Sequence, residues 1–135
     1  MGRSADEHGH GSTAEREAIV AVALDYVAGW FDADAARMER ALHPDLAKRS
    51  LQADGHVRTM TAPMLLEFTI QARGRSEDSP DRRVHVEVLH IDETLASAVV
   101  RCHQYVDHLH LVRTADGWKI LNILARRRHR SPGPP

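Results

Sequence analysis

Acidic, phenolic, amide and imidazole side chains occur together near the end of the chain, within a segment that is typical of a β-hairpin. Two runs rich in β-branched, aromatic and Leu residues flank Thr114–Gly117, which contains an Asp-Gly turn signal. Pairing Arg113 with Trp118 would place Asp107 opposite Leu124. Because successive side chains of a strand alternate faces, this register predicts two distinct surfaces. The first surface would carry His103, Tyr105, Asp107, Leu109, Leu111, Trp118, Ile120, Asn122 and Leu124.

This first surface is apolar at one end and polar at the other, as expected of the wall of a pocket. The opposite surface would carry Gln104, Val106, His108, His110, Val112, Lys119, Leu121, Ile123 and Ala125. Its aliphatic members form a patch that a monomer would expose to water. We therefore predict a homodimer formed through this convex face of the sheet.

Asp107 is the strongest catalytic candidate, with His103 as a second candidate. In an apolar cavity, desolvation raises the pKa of a carboxyl group toward values that suit a general base. The alternative is structural: Asp107 accepts hydrogen bonds from Tyr26, Tyr105 or His103 and so joins helix to sheet. Buried carboxylates are commonly paired in this way, and both interpretations stay open.

Tyr26 and Trp30 lie one helical turn apart and would share a face of the first helix. A phenol and an indole together form a flat apolar surface with polar groups at its edge, which suits an aromatic ligand. Packing in the hydrophobic core is the alternative. His43 precedes Pro44 where the chain leaves the helices, and we expect it to lie at the mouth of the pocket. The complete set of predicted ligand-binding residues is Tyr26, Trp30, His43, Met64, Tyr105 and Asn122.

Metal and cofactor signals are weak. His108 and His110 are two residues apart on a strand, which is a known metal-ligand geometry, but they would lie on the face opposite Asp107. The chain contains one cysteine, Cys102, and no glycine-rich phosphate loop. We therefore expect neither a metal site nor a cofactor, and the single cysteine favours a reducing cytoplasm.

The composition indicates one ordinary globular domain. The chain has 135 residues and a net charge of -1, so no overall field attracts it to nucleic acid or to a membrane. No apolar run approaches the roughly 20 residues that a membrane-spanning helix requires. We predict a mobile arm over 1–12, a single domain over 13–127, and a disordered basic, proline-ended tail over 128–135.

Helices come first along the chain and strands last, which predicts an α+β fold with the sheet curled around the helices. Ser12, Asp34 and Thr61 are expected to cap three successive helices, with a small hairpin before the third. The charged segment 73–82 is the expected site of internal disorder. Beyond it the pattern is strand-like, and Leu95–Thr114 resembles one long run into the hairpin.

This order of elements resembles the nuclear transport factor 2-like superfamily, whose fold is also called cystatin-like. The resemblance is carried by Tyr26, Trp30, the His43-Pro44 step, Asp107-His-Leu-His-Leu111 and Gly117-Trp-Lys-Ile-Leu-Asn122. Within the superfamily the chain is most similar to the lumazine-binding branch, which is related to ketosteroid-isomerase-like and polyketide-cyclase-like folds. The resemblance implies a cone with a deep pocket between the helices and the concave sheet, in a protein that is usually dimeric.

Because one fold hosts many functions, three hypotheses follow. The preferred one is a small-molecule-binding protein that holds an aromatic or polycyclic ligand in the cone pocket. The alternative is an isomerase, dehydratase or cyclase in which Asp107 or His103 moves a proton and Tyr26 stabilises an oxyanion. The third is a dimeric scaffold without a functional pocket.

Overall fold

The structure is a computed structural model that describes residues 12–128. The predicted arm and tail therefore lie almost entirely outside the described residues. The helices are α1 (Thr13–Asp32), α2 (Ala35–Ala41), α3 (Ala62–Ile70) and a 3-10 helix (Arg73–Glu77). The strands are β1 (Leu42–Leu51), β2 (Val57–Thr61), β3 (His85–Asp92), β4 (Leu95–Arg101), β5 (Tyr105–Thr114) and β6 (Gly117–Arg127). The predicted α+β class is confirmed. No described helix is both long and apolar enough to span a membrane.

The three predicted helix caps are confirmed. The side chain of Ser12 accepts a hydrogen bond from the backbone of Glu15 at 3.1 Å, and Asp34 caps α2 in the same way. Thr61 caps α3, which has a proline in its first turn. Each cap satisfies one of the backbone N–H groups that a helix start leaves without a partner.

The six strands form one sheet in the order β2-β1-β6-β5-β4-β3, in which only β1 and β6 run parallel. Its inner face packs against α1. The core between them consists largely of aliphatic side chains, among them Ile19, Ala23, Val27, Ala98, Val100, Leu109, Leu111 and Ile120. This packing places α1 against β3 and β6, and Tyr26 in its second half reaches β5.

The predicted turn and the register next to it are confirmed, but the faces predicted for β6 beyond Ile120 are wrong. Arg113 pairs with Trp118 and Leu111 with Ile120, as expected. A β-bulge then shifts the register, so that His110 pairs with Asn122. One extra residue in β6 exchanges the faces of every later side chain.

As a result, Asn122 and Leu124 lie on the outer face, with His108 and His110 opposite them. Ile123 and Ala125, predicted to be outside, are buried in the core. The inner face at this level therefore carries alkyl groups where the sequence pattern predicted an amide. Asp107 remains inside, opposite Ala125 rather than Leu124.

The predicted run Leu95–Thr114 is two antiparallel strands rather than one. Between β4 and β5 the chain reverses in a tight turn, which the backbone N–H of Cys102 closes by donating to the carbonyl of Tyr105 at 3.0 Å. The turn contains no Gly, Pro, Asn or Asp, the usual signals for a reversal. His103 lies in this turn and not on the strand that carries Asp107.

The segment predicted to be disordered is instead partly helical. Residues 73–77 form the 3-10 helix, which packs beside the end of α1. Gly74 makes this contact possible, because a Cβ at its position would lie 2.1 Å from the carbonyl oxygen of Trp30. The close approach brings Glu77 to the side chain of Trp30.

Candidate functional site

Three polar side chains meet inside the cone where α1, β1 and β5 come together. The hydroxyl of Tyr26 donates to Asp107 Oδ2 at 2.6 Å and accepts from Lys48 Nζ at 2.8 Å. The exposed fractions are 4% for Tyr26, 5% for Asp107 and 9% for Lys48. The three residues therefore form one continuous hydrogen-bonded chain, which we call the buried triad.

Burial dominates the electrostatics of this triad. Desolvation raises the pKa of Asp107, and the nearby charge of Lys48 only partly opposes that rise. Desolvation likewise lowers the pKa of Lys48, because the ammonium loses its hydration. The pKa of Tyr26 is raised well above its usual value by burial and by the neighbouring Asp107 carboxyl. All three shifts favour the uncharged forms.

Three aromatic rings surround the amino group of Lys48. Its Nζ lies 5.3 Å from the ring centroid of Tyr26, 5.9 Å from that of Trp30 and 6.0 Å from that of Tyr105. These are distances at which a cation is attracted to the negative face of a ring. We call Tyr26, Trp30 and Tyr105 the aromatic cluster, and its rings form the apolar wall around the triad.

Glu77 closes the outer side of the aromatic cluster. Its Oε1 accepts from the indole Nε1 of Trp30 at 2.9 Å, and its Oε2 accepts from the hydroxyl of Tyr105. The guanidinium of Arg127 donates to the same Oε2. Burial and the Glu77 carboxylate together raise the pKa of the Tyr105 hydroxyl, which therefore stays a donor.

Two clefts open beside this region. The rim cleft has a volume of about 320 Å³ and is lined by residues 76–80 with His103, Gln104 and Arg127. The larger cleft, of about 350 Å³, lies between α1 and the segment that precedes β3. Its lining includes Val27, Phe31 and Cys102. Neither cleft is lined by Tyr26, Lys48 or Asp107, and all three of these residues are buried.

Four of the predicted site residues come together in space: Tyr26, Trp30, Tyr105 and Asp107. The other four lie elsewhere. Asn122 is exposed on the outer face, next to the ring of His110, and Met64 is 40% exposed on α3. His43, on β1, accepts a hydrogen bond from the backbone of Asp45.

His103 does not share a surface with Asp107. Its side chain is 50% exposed, and its Nδ1 lies 3.8 Å from Asp81 Oδ2. The prediction failed because the strand parity was extended through a residue that belongs to the turn between β4 and β5. An acid–base partnership between His103 and Asp107 is therefore not formed in this structure.

Two central residues, Lys48 and Glu77, were not singled out from the sequence. A lysine in a short amphipathic strand usually faces water. The available signal was alternation, because Leu46 and Lys48 lie two residues apart and must share a face of β1. Glu77 had no comparable signal, since it stands among other charged and small polar residues.

The triad is suited to holding polar atoms more than to transferring a proton to a substrate. The hydroxyl proton of Tyr26 is already donated to Asp107, so a bound oxyanion would have to compete for it. Lys48 has further N–H groups, which lie among the aromatic faces. They could donate to a carbonyl oxygen of a ligand that reaches this depth. Among residues 12–128, no cluster of three or more His, Cys, Asp or Glu side chains could hold a metal ion.

Comparisons with solved structures identify the same fold in several bacterial proteins. An NTF-2 like protein of unknown function from Silicibacter pomeroyi is 14% identical with a TM-score of 0.68, covering 87% of this chain and 99% of that one. An NTF2-like protein of unknown function from Shewanella baltica is 16% identical with a TM-score of 0.63, covering 87% and 96%. A ketosteroid isomerase-like protein from Erwinia carotovora is 15% identical with a TM-score of 0.62, covering 88% and 100%.

These likenesses confirm the predicted nuclear transport factor 2-like, cystatin-like fold, and at such low identity they show the fold alone. No curated protein matches the chain. A family model described as "Putative lumazine-binding" matches residues 14–124 and thus spans α1 to β6. The chain therefore belongs to the family described as "Putative lumazine-binding".

Proposed function

We propose that the protein binds an aromatic or polycyclic small molecule at the aromatic cluster, with the ligand entering through the rim cleft. One observation carries this proposal. The indole N–H of Trp30 and the hydroxyl of Tyr105 come from different elements, yet both donate to one acceptor at the edge of that cleft. Membership of the lumazine-binding family supports a planar, heteroatom-rich ligand.

The physical properties of the cluster fit such a ligand. Stacked or edge-on aromatic contacts add to the free energy gained by burying apolar area. Lys48 lies behind the rings, where its amino group can meet a ligand carbonyl oxygen. Buried polar groups of this kind orient a ligand and select against analogues that lack the matching atoms.

The enzymatic alternative has less support. Its oxyanion donor, Tyr26, is committed to Asp107, and its second acid–base group, His103, lies near Asp81. Asp107 alone keeps the raised pKa that general-base chemistry would use, but it lies behind Tyr26 and is closed to the rim cleft. The scaffold alternative predicts that no ligand enters at all.

Calorimetric titration of the full chain with lumazine tests the proposal. We expect saturable binding that weakens about tenfold in Trp30→Phe, because the variant keeps a ring and loses one hydrogen-bond donor. Trp118→Phe is the matched control. Its indole also donates to a glutamate, Glu15, at 2.5 Å, but about 20 Å away along α1.

Equal weakening by both tryptophan substitutions, or an absence of binding to a folded wild-type protein, would refute this location. Ala28→Leu tests which of the two clefts holds the ligand, because Ala28 lines the larger cleft and not the rim cleft. We expect this substitution to leave lumazine affinity within about twofold. If Ala28→Leu weakens lumazine binding more than Trp30→Phe does, the ligand binds in the larger cleft instead.

We also propose that a second copy of the chain covers the outer face of the sheet. This outer face presents aliphatic side chains beside His108 and His110, namely Leu51, Leu95, Val106, Val112, Leu121 and Leu124. A patch of this kind is costly to leave in water. Sedimentation of the wild-type chain should give a dimer, and Leu124→Glu should give a folded monomer. A wild-type chain that stays monomeric at high concentration would contradict this arrangement.

We further infer a cytoplasmic location. The single cysteine, Cys102, is buried as a free thiol, and burial raises its pKa. A thiol of this kind is compatible with a reducing compartment and contributes no disulfide. Fractionation of cells that produce the full chain tests the inference, which recovery in the periplasm or medium would contradict.

A further inference from the structure

The carboxylate of Glu77 accepts hydrogen bonds from three side chains that lie on other elements of the fold. Trp30 comes from α1, Tyr105 from β5 and Arg127 from β6, whereas Glu77 is the last residue of the 3-10 helix. Oε1 takes the indole N–H at 2.9 Å, and Oε2 takes the phenol and the guanidinium. Each oxygen of a flat, two-oxygen anion thus has its own partners, as in other strong carboxylate sites.

Contacts with neighbouring elements fix the backbone around Glu77, whereas its side chain borders the open rim cleft. Gly74 packs against the carbonyl of Trp30, and the side-chain amide of Gln104 donates to the backbone carbonyl of Glu77 at 2.6 Å. The rim cleft of about 320 Å³ lies alongside and is lined by Glu77 itself. Rotation of this one side chain into the cleft would free the three donors without moving the 3-10 helix.

The freed donors would lie at the edge of the aromatic cluster that faces the cleft. The Cζ of Arg127 is 5.1 Å from the ring centroid of Tyr105, and Lys48 Nζ is 6.0 Å from the same centroid. A ligand anchored here by an anionic group would place its ring system against these aromatic side chains. Arg127, with a side chain 63% exposed, can also meet a ligand before it enters.

We propose that Trp30, Tyr105 and Arg127 form a carboxylate-binding site that Glu77 fills in the ligand-free protein, and that the ligand is an aromatic carboxylate that displaces it. This proposal rests on the proposed function and adds a carboxylate to its ligand; lumazine, which has no carboxylate, probes only the ring-binding part of the site. Glu77 is then an internal competitor. Its tethering gives it a high effective concentration, so removing it strengthens the binding of a free carboxylate.

The first experiment is thermal unfolding of Glu77→Ala in acetate and in chloride at equal ionic strength. Acetate should raise the melting temperature of Glu77→Ala by about 4 °C at concentrations well above its dissociation constant. It should not do so for wild type or for Glu77→Ala combined with Tyr105→Phe. Glu87→Ala is the matched control, because Glu87 pairs with Arg101 at 3.2 Å on the exposed face of the sheet.

The second experiment compares two aromatic probes of the same shape, 2-naphthoate and the neutral 2-naphthamide. Relative to wild type, Glu77→Ala should bind 2-naphthoate about tenfold more tightly, with the affinity for 2-naphthamide changed by less than about twofold. If Glu77→Ala does not fold, Glu77→Gln replaces it, because the neutral amide keeps the side-chain volume and competes for these donors more weakly than a carboxylate.

The outcomes separate the two proposals. If acetate stabilises Glu77→Ala no more than it stabilises Glu87→Ala, or if both naphthyl probes respond alike, the carboxylate site is refuted even when lumazine binds. If acetate acts as expected but neither lumazine nor a naphthyl probe binds, the donor set binds carboxylates and the proposed function fails. Binding of 2-naphthoate that requires Tyr105 and Arg127 supports both.

Discussion

Tyr26 and Asp107 are joined by a 2.6 Å hydrogen bond that links α1 to β5 across 81 residues of sequence. The same hydroxyl accepts from Lys48 Nζ, so a neutral side chain separates two buried ionisable groups. Neither group can regain water without opening the contact between helix and sheet. This link holds α1, which carries Trp30 of the aromatic cluster, against the sheet.

Replacing Tyr26 with Phe should destabilise the fold by about 2–4 kcal/mol, because both Lys48 and Asp107 then lose a buried partner. Urea denaturation measures the loss. Tyr105→Phe is the comparison, and we expect a smaller cost of about 1 kcal/mol since that hydroxyl is only half-buried. Equal costs for the two substitutions would show that the buried triad has no special structural role.

Asp107 should make stability fall as the pH rises from about 4, the usual ionisation range of an unfolded aspartate. Burial raises its pKa in the folded state, so in this range the folded protein binds more protons than the unfolded chain. Its stabilising contribution is complete below the unfolded pKa and is lost as the pH approaches the folded pKa. Asp107→Asn, which keeps an acceptor for Tyr26, removes this dependence.

The measurement is the free energy of unfolding of wild type minus that of Asp107→Asn, taken between about pH 4 and pH 7. We expect this difference to decrease as the pH rises. An increase would mean that Lys48 and Tyr26 hold Asp107 ionised below its unfolded pKa, which is opposite to the burial effect.

The bulge in β6 makes neighbouring residues respond differently to truncation. Ile123 is 2% exposed and Leu124 is 56% exposed. Ile123→Ala should therefore cost about 3 kcal/mol through the lost burial and the cavity left behind. Leu124→Ala should cost less than about 1 kcal/mol in the monomer. If chemical denaturation shows a larger loss for Leu124→Ala than for Ile123→Ala, the strand has the register without a bulge.

Gly74→Ala should loosen the 3-10 helix, because the new methyl group would lie 2.1 Å from the carbonyl oxygen of Trp30. We expect a loss of about 2–3 kcal/mol in stability as the 3-10 helix moves away from α1. Ser76→Ala, in the same helix and exposed, should cost less than about 1 kcal/mol. Unchanged stability in Gly74→Ala would contradict the tight contact.

Local signals in the sequence were sufficient for the fold. The caps at Ser12, Asp34 and Thr61 and the turn at Thr114–Gly117 depend on short-range chemistry, which a single sequence contains. The inner-face position of Asp107 was also predicted correctly. No residue is inserted in β5 between Asp107 and the turn, because the bulge lies in β6. The structural interpretation of Asp107, as an acceptor for Tyr26, is the one observed.

Errors arose where a single residue changed the parity of a strand. The bulge at Leu121 and the turn through His103 lack glycine and proline, and each moved one predicted site residue away from the cone. Lys48 and Glu77 are a different case. Their roles depend on partners far along the chain, so the site could be recognised only after folding brought those partners together.

A ligand that enters through the rim cleft and binds at the aromatic cluster must contact Trp30, and the indole N–H resonance of Trp30 reports on that contact. In the ¹⁵N-labelled chain titrated with lumazine, we expect a saturable shift of the Trp30 resonance while that of Trp118 stays unchanged. Trp118→Phe assigns the two signals. A folded protein in which lumazine leaves both resonances unchanged, or shifts only that of Trp118, would refute binding at Trp30.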